Sequence, residues 1–117
     1  MKIYQLENYK KVKNEVRSDT WCTDHLNCFR CSFGPGESEK HINKKFERFK
    51  YWRRKNFQVV TEAILKNGKR VDLIIFNEND IWIEEIVFSE SEESIKKKKE
   101  NYPFPVFPIF CDENKKF

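Results

Sequence analysis

The chain has 117 residues, a net charge of +4, 36% charged residues and 15% aromatic ones, with Phe alone present 11 times. That is the length of one small domain, with a core built from rings more than from small aliphatics. No apolar run approaches the roughly 18 residues of a membrane span, and "MKIYQLENYKK" lacks the apolar centre of a signal peptide, so the sequence predicts an intracellular, cytoplasmic protein with no membrane partner. The slightly basic balance permits a nucleic-acid partner.

Residues 1–36 read as an N-terminal extension. "KIYQL" suggests a short strand and "NYKKVKNEVRSD" has weak helical spacing. Cys22, His25, Cys28 and Cys31 follow as C-x₂-H-x₂-C-x₂-C, four residues of types that bind zinc. Ten residues are few to wrap one tetrahedral ion. Cys111 as a remote fourth ligand, an iron–sulfur cluster, a Cys22–Cys31 disulfide and plain thiols all stay open. "FGPGES" then breaks regular structure.

From residue 37 to 117 the signals sharpen. "ESEKHINKKFERFKYWRRKN" carries Ile42, Phe46, Phe49 and Trp52 at helical spacing, and predicts a helix over about 37–54. Glu37, His41 and Lys44 or Lys45 share another face of it, which could turn polar groups toward a metal or a phosphate. "FQVVTEAIL" predicts a strand, and "KNGK" after it reads as a type I′ hairpin turn. "RVDLIIF" and "IWIEEIVF" predict two more strands around "NEND". "SESEESIKKKKENY" predicts a second helix capped by Ser89 or Ser91 and ended by Pro103 and Pro105. "VFPIFC" predicts a last strand, where Pro108 calls for an edge or a bulge. The crossover leading into it suits parallel pairing.

Acids interrupt the otherwise apolar strands. A symmetric "NEND" turn opposes Phe76 to Ile81, Ile74 to Ile83 and Asp72 to Glu85, and leaves Glu84 on the other face with Trp82 and Ile86. Two opposed carboxylates repel unless a cation sits between them, and hard oxygen donors suit Mg²⁺ or Mn²⁺. The simplest "KNGK" register sets Ala63 across from Asp72. A solvated sheet face is the plainer alternative, but Ile74, Phe76, Ile81 and Ile83 would share that face.

The run "ESEKHINKK", "TEAIL", "KRVDLIIF" and "IEEIVFSES", followed by a helix and a strand, resembles the PD-(D/E)XK nuclease core and is most similar to the competence-protein CoiA-like group. The resemblance covers about residues 37–111. It implies an α/β, restriction-endonuclease-like αβββαβ core with a mixed central sheet, acting as a metal-dependent deoxyribonuclease. It implies that Asp72 and Glu85 hold Mg²⁺ or Mn²⁺ and that Glu37 approaches them. The family's usual Lys, or in some members Gln, two residues after the acid, is Val87 here. Lys44, Lys45 or Lys69 could supply the missing cation. Otherwise the fold binds nucleic acid or a protein partner without cutting. His41, Arg48, Arg53 and Arg54, with Lys96 to Lys99, are the candidate nucleic-acid contacts, and Tyr51 and Trp52 could stack on bases. Such enzymes often work as homodimers.

Overall fold

The computed structural model describes residues 2–17, 25–31, 38–88 and 90–111. A 3₁₀ turn at Ile3–Gln5 leads into α1 (Glu7–Glu15), so "KIYQL" forms no strand. Then follow α2 (Glu39–Arg54), β1 (Gln58–Ile64), β2 (Arg70–Phe76), β3 (Ile81–Val87), α3 (Glu92–Asn101) and β4 (Val106–Phe110). From α2 onward the order is αβββαβ, as the sequence predicts. The protein is α/β, with one mixed four-stranded sheet in the order β1-β2-β3-β4. Among the described residues no helix is long and apolar enough to cross a membrane.

Local chemistry explains the elements. Ser38 caps α2, its hydroxyl accepting from the His41 amide at 3.2 Å, and Ser91 caps α3 in the same way from Ser94. Asn77 organises the β2–β3 turn, its side-chain oxygen accepting from the amides of Asn79 and Asp80. Asn8 of α1 clamps that turn from outside by donating to the carbonyls of Asn77 and Asp80. β3 and β4 pair in parallel, and Pro108 sits on β4, an edge strand, where its missing N–H costs no ladder bond.

Two apolar layers flank the sheet. One packs Tyr9, Val12 and Val16 from the N-terminal segment against Val60, Ala63, Val71, Ile74, Phe76 and Ile83. The other packs Phe49 and Trp52 of α2 against Val59, Leu73, Ile75 and Ile86. The N-terminal segments also cover the outer edge of β1. The Arg17 amide donates to the Ile64 carbonyl, the Asn27 amide to the Val59 carbonyl, and the Asn27 side-chain oxygen accepts from the Val59 amide. An edge that would otherwise be open is thereby closed.

The β1–β2 connection corrects the sequence reading. Gly68 has φ 86, but Asn67 does not reach positive φ, so the turn is not type I′. Instead the Leu65 amide donates to the Lys69 carbonyl across a three-residue loop, with Gly68 in the left-handed position that a Cβ disfavours. This shifts the register by one. Ala63 faces Val71, not Asp72. Glu62 takes the place across from Asp72, at a backbone φ of 57.

That conformation at Glu62 breaks the strand alternation. Val60 and Ala63 reach the same layer although three residues apart, and so do Val71 and Ile74 on β2. Glu62 and Asp72 are therefore both turned toward α2. Strict alternation would have kept Asp72 with Ile74 and Phe76.

Candidate functional site: an acid pair where two strands part

The β2–β3 ladder runs from Phe76↔Ile81 to Leu73↔Glu84, the register expected from the "NEND" turn. One step further it opposes Asp72 to Glu85. There the backbone ladder ends, and the Asp72 carboxylate takes over: its Oδ2 accepts from the Ile86 amide at 2.8 Å. Asp72 thus lies in the opening between two strands. His41 Nε2 of α2 approaches the same oxygen at 3.4 Å. From the other layer the Glu85 carboxyl hydrogen-bonds to Asp72.

The electrostatics divide the two acids. Burial pushes the Asp72 carboxyl up, but the hydrogen bonds from His41, Glu85 and the Ile86 amide outweigh it and hold Asp72 below its ordinary value. Burial, and then the neighbouring Asp72 charge, drive Glu85 well above the usual carboxylate range. The two acids therefore release their protons in separate steps, Asp72 before Glu85. Glu85 Oε1 is fully buried and has no hydrogen-bond partner. An orphaned buried carboxyl oxygen is rare and costly.

Lys98 of α3 acts on Glu85 from the far side. Its Nζ donates to Glu90 Oε2 at 2.8 Å, and the charges of Glu85 and Glu90 raise its pKa against the lowering effect of burial. Tyr102 lies close by, its hydroxyl pushed up to about 12 by burial and by Glu85. Within the run Lys96 to Lys99, sequence reasoning did not single out Lys98. The signal was there in Glu90, Ser94 and Lys98, spaced four apart, since Ser94 also donates to Glu90.

The remaining candidates lie elsewhere. Lys45 is wholly buried and donates to Glu62 Oε1. Arg48 grips Glu84 with two hydrogen bonds of 2.8 and 2.9 Å. His41, Lys45 and Arg48 thus form an inward polar stripe at i, i+4 and i+7, each facing an acid on a different strand. Phe46, expected in the apolar stripe, is 42% exposed and stacks near Phe29 and Phe49. Lys44 pairs with Glu47 at 3.6 Å. Arg53 donates to the Phe57 carbonyl, and Arg54 is exposed. Trp52 packs in the core and Tyr51 is exposed between Arg48 and Lys55. Glu37 lies outside the described residues. Val87 is buried at the position where the resemblance expects Lys.

The cysteine cluster is only partly in view, since Cys22 lies outside the described residues. Cys28, Cys31 and Cys111 carry free thiols. Both ring nitrogens of His25 lie 2.8–2.9 Å from Arg30 Nη1, a cation where a metal ligand would need its lone pair free. Cys111 follows β4 while Cys28 lines β1, at opposite edges of the sheet. Three strand spacings, about 14 Å, separate them, so Cys111 cannot complete that cluster. Among the described residues no group of three His, Cys, Asp or Glu side chains is arranged to hold a metal ion. No protein-family model, curated protein or solved structure matches the chain.

Proposed function

We propose that this chain is a divalent-cation-dependent nuclease of the restriction-endonuclease-like kind, hydrolysing DNA phosphodiester bonds with Asp72 and Glu85 as its cation ligands. The observation that carries the reading is the buried, partnerless Glu85 oxygen beside an ionised Asp72. Two hard carboxylate donors and an orphaned acceptor fit Mg²⁺ or Mn²⁺, which keep several waters of their own. Glu37 is the proposed third acid. When bound, such a cation supplies Lewis-acid polarisation and neutralises charge at the phosphate. The αβββαβ order agrees with the reading.

The chain's own residues would orient and neutralise. The Ile86 amide and His41 fix the Asp72 carboxylate in one orientation. Lys98 acts on Glu85 as a positive charge, which Val87 does not supply. Binding a cation would displace the proton from Glu85, so affinity would rise with pH.

One observation favours a second reading, a nuclease fold that binds without cutting. Val87 is apolar and buried, Lys45 is occupied by Glu62, and Lys98 is held by Glu90. The two readings separate in one assay. Labelled single- and double-stranded DNA is incubated with the protein in Mg²⁺, in Mn²⁺ and in EDTA, beside Asp72→Asn and Glu85→Gln. Cutting that needs the metal and is lost in both variants is expected. DNA binding that EDTA leaves unchanged, with no cutting in either metal, would overturn the enzyme and leave the binder.

A further inference from the structure

A cleft of about 570 Å³ lies between the β1–β2 turn and α3, walled by Asn67, Lys69, Ser94, Lys97, Lys98, Asn101 and Tyr102. Its size falls in the range of small-molecule sites. Its chemistry is one-sided. Three ammonium groups, a hydroxyl, a phenol and two amides line it, and among the described residues no carboxylate does. Glu90 stands behind the wall, where it accepts from Lys98 at 2.8 Å and Ser94 at 3.3 Å, and Glu85 acts on Lys98 and Tyr102 from the same side. Lys69 and Lys97 are exposed and make no ion pair among the described residues. The two lysines come from elements far apart in sequence, brought to one opening by the fold.

We propose that this cleft is a phosphate-binding site, with Lys69 and Lys97 as the mobile contacts and Lys98 as the fixed one. Compact ammonium charges on flexible stems suit phosphate as point-charge partners. Glu90 keeps Lys98 in place. The phosphate could belong to a free nucleotide or to a nucleic-acid strand. The site goes beyond the cation reading and needs no metal.

The test is carried out in EDTA, so its outcome is separate from any cleavage. Backbone amide signals are followed by heteronuclear NMR while inorganic phosphate, a 5′-nucleoside monophosphate or a short single-stranded oligonucleotide is added. The variants are Lys69→Glu with Lys97→Glu, and Lys11→Glu as an exposed control; the three lysines lie at the surface, so folding should not suffer. Shifts should concentrate in residues 66–69 and 94–102. The double variant should weaken binding about tenfold or more, and the control less than twofold, because only the former reverses charge at the contact. Saturation by phosphate or nucleotide alone identifies a free ligand. Saturation by the oligonucleotide alone, at the same residues, identifies a strand. Shifts scattered over the surface lysines, equal losses in the control, or no binding by any probe would overturn the proposal.

Discussion

Glu84 and Glu85 are neighbours on β3, both buried, and they meet opposite fates. Glu84 points toward α2 and is fully satisfied, accepting two hydrogen bonds from Arg48 and one each from the indoles of Trp52 and Trp82. Glu85 points the other way, has its carboxyl pushed up by burial and by the Asp72 charge, and keeps one oxygen without a partner. The fold evidently has the donors to satisfy a buried carboxylate, and it directs them to one acid and not the other. A buried charge with complete partners serves the fold, whereas one left incomplete costs stability and marks a place where a ligand can bind.

The largest expected effect comes from breaking the satisfied side. Glu84→Ala strands a guanidinium and two indole N–H groups, and should cost about 3–5 kcal/mol in urea unfolding. Next comes the Lys45–Glu62 pair, which also holds α2 on the sheet. Lys45→Met leaves Glu62 partly buried, with Arg70 at 3.5 Å as its remaining cation among the described residues, and should cost about 2–3 kcal/mol. Replacing both as Lys45→Met with Glu62→Leu should restore most of that loss, because a well-packed apolar pair often equals a buried ionic one.

The unsatisfied side should respond in the opposite direction. Glu85 has a raised folded-state pKa, so the folded protein holds a proton that the unfolded chain has lost. Its contribution is present in full below the ordinary carboxylate range and is lost as pH rises through the raised value. Glu85→Gln keeps the hydrogen-bond donor and removes the titration. It should therefore stabilise the metal-free protein at pH 8 by on the order of 1 kcal/mol, and by almost nothing near pH 4. Asp72 carries the reverse sign. Its stabilising contribution is present above the ordinary carboxylate pKa and fades as pH falls through the lowered folded value. Melting curves from about pH 2 to pH 8 on wild type, Glu85→Gln and Asp72→Asn read both. The smallest effect is expected from Cys28→Ser. Its thiol is exposed and free, and the change should move stability by less than about 0.5 kcal/mol.

Much of this contrast was legible in the sequence. The "NEND" turn set a register that opposed Asp72 to Glu85 and sent Glu84 to the face away from Glu85, because a four-residue connection closed by Asn77 leaves little freedom; that Asp72 would share the α2 side with Glu84 was not legible. The Phe49 and Trp52 part of the α2 stripe, the Ser91 cap and the edge position of Pro108 were readable for the same reason, since each rests on local chemistry, whereas Phe46 turns outward. Glu62 was not. Its place depends on whether Asn67 or only Gly68 adopts positive φ, a choice that shifts the register by one residue and that dipeptide preference does not decide. The partners of the acids were only half legible. His41 and Lys44 or Lys45 read as one face turned toward a metal or phosphate and Arg48 as a nucleic-acid contact, whereas His41, Lys45 and Arg48 each meet a strand acid instead. The role of residues 25–31 along the β1 edge has no periodicity to announce it.

The central claim is that the Asp72–Glu85 pair holds a divalent cation, and Mn²⁺ binding followed by electron paramagnetic resonance tests it most directly. Titrations at pH 6 and pH 8 on wild type, Asp72→Asn, Glu85→Gln and, as a control away from the pair, Glu78→Gln would suffice. The account predicts one site in wild type, tighter at pH 8 than at pH 6, weakened about tenfold or more by each of the first two changes and untouched by the third. Mn²⁺ that binds all four proteins alike, or none, would contradict it.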